Sequence, residues 1–276
     1  MLVHAPAKLN LCLYLGSRRD DGLHELCSLF EPLALADLIE ISEAECDEVH
    51  CPGVDGEDLA SKALAGLRER GWDGAPRRVE IDKRIPVAAG LGGGSADAAA
   101  VLRLAAGEVD DLSALAAEIG ADVPSQLVPS LALVEGAGER VERLPDPVPH
   151  AVVLLPGGGG LSTAEVFAEA DRLGLGRDAA ELGGLAARLR AVAGAGASPL
   201  AYADLLANDL EPAARSLCPE IGDALDALRE AGAPVALLTG SGPTAFGLFA
   251  DLAAARDAAA RLDREDTIAC EAGRAP

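Results

Sequence analysis

"PVAAGLGGGSADAAAVLRLAA", residues Pro86–Ala106, sets four glycines and a serine in front of an alanine-rich run. The segment before it, "RRVEIDKRIPVAAG", alternates Val79, Ile81, Ile85 and Val87, which predicts a strand running into the loop. The segment after it predicts a helix from Ala96 to Ala106. A glycine loop between strand and helix suits an anion. The backbone can come close to the ligand, several N–H groups turn inward, and the helix start adds its positive dipole end. The Ser95 hydroxyl is placed to bond a phosphate oxygen or a metal.

Two better-known phosphate motifs do not fit. A Walker loop needs Lys and then Ser or Thr after its last glycine, whereas Gly94 is followed by Ser95 and Ala96. A dinucleotide fingerprint starting at Gly90 would put Ser95 where a glycine belongs. Its acidic residue would fall at Asp110 or Asp111, between two predicted helices rather than at a strand end.

Moving outward, "AKLNLCLYLG" alternates Leu9, Leu11, Leu13 and Leu15 with Lys8, Asn10, Cys12 and Tyr14, a strand with one buried face. "RRDDGLHE" reads as a polar turn at Gly22. "LCSLFEPLALADLIEIS" reads as strand-like runs broken near Pro32 and Asp37, and "SKALAGLRERG" as a helix closed by Gly71. "DLSALAAEIG" is a helix stopped at Gly120, and "GADVP" is a non-helical segment because Pro124 disfavours helix at Val123. "SLALVEGAGERVERL" is a strand and a turn. The three prolines of "LPDPVPH" mark a boundary between domains 1–147 and 148–276. Beyond it come a buried strand ending in the glycines 157–160, helices at 163–173, 179–192 and 221–231, two strands joined by Gly240-Ser241-Gly242, and a last helix. Strands and helices mix without regular alternation, so the fold class is α+β in two domains.

The chain has 276 residues, half of them hydrophobic, and a net charge of −22. That charge opposes nucleic-acid and anionic-membrane surfaces. It leaves room for a small anionic substrate met by local cations. Lys8, Lys62 and Lys83 are the only lysines, and Lys8 stands in an apolar segment. Six cysteines without a CxxC pair read as reduced, buried hydrophobes. His4, His24, His50 and His150 lack metal-ligand spacing. The start has no signal-peptide pattern and no segment has the length and purity of a membrane span, so a cytoplasmic protein is expected. Nothing in the pattern specifies an oligomeric state.

Phosphoryl transfer needs a group that orients or deprotonates the attacking hydroxyl and positive charge against the phosphoryl group. Asp122, just past the Gly120 cap, is the candidate carboxylate, and Lys8 is the candidate cation. Spacing alone favours a solvated loop Asp and a Lys on an exposed strand face.

"PVAAGLGGGSADAAAVL" resembles the glycine-rich signature of the GHMP small-molecule kinases. "APAKLNLCLYLGSRRDDGLHEL" at the start is similar to that family, and "EIGADVP", "LVEGAGE", "STAEVF", "ANDLEP" and "LTGSGPTAFGLF" are similar to its later motifs, in order, so that the likeness runs from Ala5 to about Phe249. The resemblance implies an α+β kinase with its active site in an interdomain cleft, using ATP and Mg²⁺. The acceptor it implies is a small molecule, the 2-hydroxyl of a cytidine-diphosphate-linked methylerythritol in the non-mevalonate route to isoprenoids. It makes Asp122 the general base and Lys8 its partner. The ATP loop becomes Pro86, Val87, Ala88, Ala89, Gly90, Leu91, Gly92, Gly93, Gly94, Ser95 and Ala96, with Ser95 the metal contact. Asn10, His24, Thr163, Phe167, Gly240, Ser241 and Gly242 become the substrate residues, with His24 on the cytosine edge and Phe167 stacked on its ring.

The chain departs from the family pattern at Leu23, where an aromatic usually precedes the histidine, at Asp58, where Asn is usual, and at Ser125, Pro129 and Ser130. Two alternatives stay open: a family kinase acting on a sugar, homoserine or mevalonate, and a silent nucleotide-binding paralogue.

Overall fold

The computed structural model describes every residue except 55–57 and 159–160. The last two belong to the glycine cluster after the predicted strand at 151, so that part of the expectation lies outside the described residues. In chain order the elements are β1 (Leu2–Arg18), β2 (His24–Glu43), β3 (Glu48–His50), α1 (Leu59–Glu69), β4 (Arg77–Asp82), α2 (Gly93–Leu102), α3 (Leu112–Ile119), α4 (Val123–Gln126), β5 (Ala132–Gly136), β6 (Arg140–Arg143), β7 (His150–Leu155), α5 (Thr163–Leu173), α6 (Ala179–Ala193), α7 (Glu211–Leu217), α8 (Glu220–Glu230), β8 (Val235–Leu238), β9 (Ala245–Phe249), α9 (Leu252–Leu262) and β10 (Ile268–Ala272). Mixed strands and helices make the α+β class expected from the pattern.

The strand path runs β3-β4-β2-β10-β7-β9-β8, with β1 and β5 also on β2 and β6 on β5. β2 is the hub. Its first part pairs with β5 and its last part with β4, while β1 runs antiparallel along nearly its whole length. β10 joins the two groups of strands, pairing Ala272 with Leu33 of β2 and with His150 of β7.

Several local expectations are corrected. β2 is one strand of 20 residues, unbroken at Pro32 and Asp37. Pro32 sits opposite Lys8 where the β1 register shifts, and its carbonyl accepts from Gly273 N–H. Asp37 is fully buried yet satisfied: its carboxylate pairs with Lys83 and accepts the N–H groups of Arg84 and Ile85. Those captured N–H groups also end β4 at Asp82, so Ile85 and Val87 do not continue the strand, and Val87 is exposed.

β1 is buried on both faces. Lys8, Asn10, Cys12 and Tyr14 are as enclosed as the leucines between them. α2 starts at Gly93, so Gly93 and Gly94 form its first turn, and it tightens to a 3₁₀ turn at Arg103–Ala105. Its alanines let it lie sealed between the sheet and α1, with Ala96 and every residue from Ala98 to Leu102 buried. Val123–Gln126 is a helical turn after all. Pro124 falls in its first turn, where no N–H is needed. Only Cys12 and Cys27 among the cysteines are buried, and Cys46 is exposed. Among the described residues no helix is long and apolar enough to cross a membrane.

Beside the β10 bridge lies a fully buried ion pair. His150 Nε2 is 3.0 and 3.2 Å from the two Glu31 oxygens, and Nδ1 is 3.0 Å from the Val148 carbonyl. Both ring nitrogens face acceptors, so both donate and the ring is an imidazolium. Burial alone would pull the His150 pKa down. The hydrogen bond and charge of Glu31, with the Val148 carbonyl, outweigh it and raise the value above 6.5. A raised folded-state value stabilises fully below the unfolded value and is lost as pH rises through the folded one. The thermal midpoint is therefore predicted to fall as pH climbs above 6.5. Glu31→Gln should lower the midpoint and flatten that slope. An unchanged slope in the variant would show that the pair does not cause it.

Candidate active site

Lys8 and Asp122, 114 positions apart, meet at 3.1 Å, their side chains 8% and 30% exposed. Lys8 Nζ also donates to Asn10 Oδ1 at 2.6 Å and lies 4.9 Å from the Phe30 ring centroid. Asn10 is held in turn: Nδ2 donates to Ser28 Oγ at 2.9 Å, and its backbone N–H donates to Thr239 Oγ1 at 2.9 Å. One network thus joins β1, β2, the segment after α3 and the turn after β8. Asp122 makes no side-chain cap bond to α4, which leaves its carboxylate to the lysine. Ser125 Oγ donates to the Asp122 carbonyl at 2.7 Å, and Arg103 Nη1 to the Gln126 carbonyl at 2.9 Å. The departure at Ser125 therefore has a local role in fixing the turn that carries Asp122.

The glycine loop packs on this pair. Lys8 N–H donates to the Leu91 carbonyl at 2.9 Å. Gly92 has φ +69°, and a Cβ there would lie 2.7 Å from Lys8 Cγ. Gly90 has φ +75°, and its Cβ would lie 2.9 Å from the Gly242 carbonyl oxygen. Both positions need a residue without a side chain, one to admit the lysine stem and the other to admit the second half of the molecule.

The loop is also a partition. On one side is a cavity of about 770 Å³ that Lys8, Asn10, His24, Asp122, Thr163, Phe167, Gly240 and Ser241 all line. On the other is a cavity of about 310 Å³ lined by Pro86–Ser95 with Asp58, Lys83 and Asp97. Gly90, Gly92 and Ser95 face both. Ser95 Oγ makes no hydrogen bond among the described residues. Two expected site residues stand apart: Ala96 is sealed in the core beneath the loop, and Gly242 touches the loop by its backbone instead of lining the larger cavity.

At the far end of the larger cavity, His24 is buried at the start of β2 with its ring 5.2 Å from Phe167 and tilted by 41°. Its Nε2 is 2.7 Å from Asp171 Oδ1. Leu23 beside it is 55% exposed, so the flank where an aromatic was expected is open. Thr163 and Ser241, both lining the larger cavity, bond each other through their hydroxyls at 2.9 Å.

Several supporting roles escaped sequence reading. Asn208 Nδ2 donates to the Leu238 and Gly240 carbonyls at 2.7 and 2.8 Å, holding the turn that carries Gly240 and Ser241. Lys83 lies between Asp37 and Asp97 below the loop. Burial, with the Asp37 charge added, raises the Asp97 pKa even against Lys83. Asp58 caps α1 through Ser61 N–H at 2.7 Å. Asp171 follows Phe167 by four positions, so helical spacing was the signal that pairs them on one face.

Comparisons with known proteins identify the family and the fold. A model of the GHMP kinase N terminal domain matches residues 58–129, and one of the GHMP kinase C terminal region matches 189–267. A 4-diphosphocytidyl-2-C-methyl-D-erythritol kinase of Nocardia farcinica is 42% identical, covering 95% of this chain and 89% of its own. One of Pelotomaculum thermopropionicum is 40% identical over 95% and 93%. A crystal structure of 4-(cytidine 5'-diphospho)-2C-methyl-D-erythritol kinase superposes with a TM-score of 0.81 at 35% identity, covering 99% of this chain and 100% of that one. A homoserine kinase from Cytophaga hutchinsonii superposes with a TM-score of 0.72 at 19% identity, covering 99% and 94%, a likeness of fold alone.

Two-domain α+β fold and matched regions together define a GHMP kinase, an ATP-dependent phosphotransferase. Within that class the chain belongs to the 4-diphosphocytidyl-2-C-methyl-D-erythritol kinase family.

Replacing Gly92 by Ala is predicted to cost about 1–2 kcal/mol of stability from the left-handed backbone. Because the new methyl would displace Lys8, turnover should fall by more than that loss explains. Circular dichroism and steady-state kinetics check this, and wild-type turnover would show that the close approach to Lys8 is dispensable.

Proposed function

We propose that this enzyme transfers the γ-phosphoryl group of ATP to the 2-hydroxyl of 4-diphosphocytidyl-2-C-methyl-D-erythritol, a step of the non-mevalonate route to isoprenoids. The Lys8–Asp122 pair at the edge of the glycine loop is the observation that supports it most directly. In this reading residues 1–147 bind the nucleotide and residues 148–276 close on the substrate.

ATP lies along the loop, with its base in the smaller cavity and its triphosphate passing Gly90, Gly92 and Ser95 into the larger one. The inward N–H groups and the start of α2 offset the phosphate charge. The acceptor hydroxyl sits between Asp122 and the γ-phosphorus. Asp122 takes its proton, the oxygen forms a bond to phosphorus, the bond from phosphorus to the β,γ-bridging oxygen breaks, and ADP leaves. Lys8 fixes the carboxylate and opposes the negative charge on the moving phosphoryl group. His24 and Phe167 take the cytosine, Asn10, Thr163, Gly240 and Ser241 shape the cleft around the erythritol, and Gly242 acts by packing its backbone on the loop.

No group of three or more His, Cys, Asp or Glu residues able to hold a metal occurs among the described residues. The uncommitted Ser95 hydroxyl, facing both cavities, is the side chain that would hold Mg²⁺ beside the triphosphate. Bound there, Mg²⁺ would neutralise charge on the β- and γ-phosphates.

The deciding assay follows ADP release with Mg²⁺-ATP and, in turn, the cytidine-linked methylerythritol, homoserine, mevalonate and galactose. Turnover on the first alone is expected. Turnover on another acceptor would replace the substrate assignment, and turnover on none would point to a silent binding protein. Asp122→Asn should lower kcat by about 10²–10⁴-fold with ATP binding retained; near-normal kcat would remove Asp122 as the base. Leu23→Tyr should lower the KM for the cytidine substrate by supplying the missing stacking face, and an unchanged KM would count against the open slot.

A further inference from the structure

Three residues at the far end of the larger cavity carry one more step, which rests on the cytidine reading above. His24 is nearly sealed, its side chain 6% exposed, and one of its ring nitrogens is already committed: Nε2 lies 2.7 Å from Asp171 Oδ1. Nδ1 bonds to no protein atom among the described residues, and the residue lines the cavity. Asp171 comes from α5, one turn after Phe167, so a single helix supplies the ring against His24 and the carboxylate behind it.

In a neutral imidazole one nitrogen donates and the other accepts, and the partner decides which. An ionised carboxylate only accepts. Asp171 therefore takes the Nε2–H, and Nδ1 keeps its lone pair for whatever enters the cavity. His150 shows the opposite outcome in the same molecule, since both of its nitrogens face acceptors. We infer that Asp171 is a positioning residue for base selection: by fixing the His24 tautomer it makes Nδ1 an acceptor, which suits the 4-amino group of cytosine and opposes the 4-oxo group of uracil. A lone pair facing a carbonyl oxygen leaves two acceptors unpaired, and that mismatch separates the two bases by about ten- to hundred-fold. Leu23 leaves the opposite flank open, so the hydrogen-bonding edge carries more of the selection here than an aromatic sandwich would leave to it.

The test has three readouts on the full chain. Nitrogen-15 histidine NMR of the ligand-free protein, with His24→Gln to assign the signal, should show His24 with its proton on Nε2, and Asp171→Ala should mix the tautomers. Calorimetry with cytidine diphosphate and uridine diphosphate should show about ten-fold or greater preference for the former, lost in Asp171→Ala and partly restored in Asp171→Glu. In kinetics, Asp171→Ala should raise the KM for the cytidine-linked substrate and leave kcat within about two-fold, as expected for a ground-state contact. A proton on Nδ1, or a base preference that survives Asp171→Ala, overturns the inference even if the enzyme turns over the cytidine substrate. A correct tautomer with Asp171-dependent binding, but phosphorylation of some other acceptor, would uphold it and overturn the substrate assignment.

Discussion

A lysine ammonium that is almost out of water must be surrounded by acceptors, and this molecule is arranged around meeting that demand for Lys8. Moving an unpaired charge into the interior costs many kcal/mol, so a buried cation survives only where partners are supplied. Lys8 finds the Asp122 carboxylate, the Asn10 carbonyl oxygen and the face of Phe30. None of these is close by chance. Asn10 is anchored to Ser28 and Thr239, and Asp122 rides on a turn tied down by Ser125 and Arg103. Satisfying one charge thus draws together four segments that are far apart in the chain. It also fixes the loop glycines, because the lysine stem occupies the space that a side chain at Gly92 would need. Asp122 keeps 30% of its side chain exposed. Water therefore screens the pair, and its contribution lies below the 3–5 kcal/mol or so typical of removing one partner from a fully buried pair.

The same constraint divides labour between the two cavities. The wall between them is backbone with almost no side chains, so a chain of phosphates can pass along it within reach of N–H groups on either side. The second half of the molecule contributes little chemistry at that wall. It brings a turn, held by Asn208, and the face of α5 that meets His24. In the proposed function, recognition of the cytosine and handling of the phosphates fall at opposite ends of one cleft.

Much of this was legible from particular residues. Period-two alternation located β1, and the glycine run followed by alanines located the loop and α2. Asp122 and Lys8 were visible as a pair of candidates, and the family resemblance made them partners; the local pattern alone could not, because nothing local links position 8 to position 122. The misreadings share a cause. Pro32, Asp37 and Pro124 were treated as breakers on local grounds, and each is accommodated by a partner or position that only the fold supplies: a register shift, a lysine with two captured amides, the first turn of a helix. Lys8 and Asn10 looked like an exposed face for the same reason, since polar residues buried by mutual pairing leave the pattern of a solvated face. Asp171 and Asn208 were quiet because their work is to hold other groups, and a holding role has no composition signature.

A crystal structure with a non-hydrolysable ATP analogue and the cytidine-linked methylerythritol bound together would test the central claim most directly. The account predicts the acceptor hydroxyl within about 3 Å of an Asp122 carboxylate oxygen, in line with the γ-phosphorus and with Lys8 Nζ still touching Asp122. A γ-phosphate seated away from Lys8, or an acceptor hydroxyl out of reach of Asp122, would contradict it.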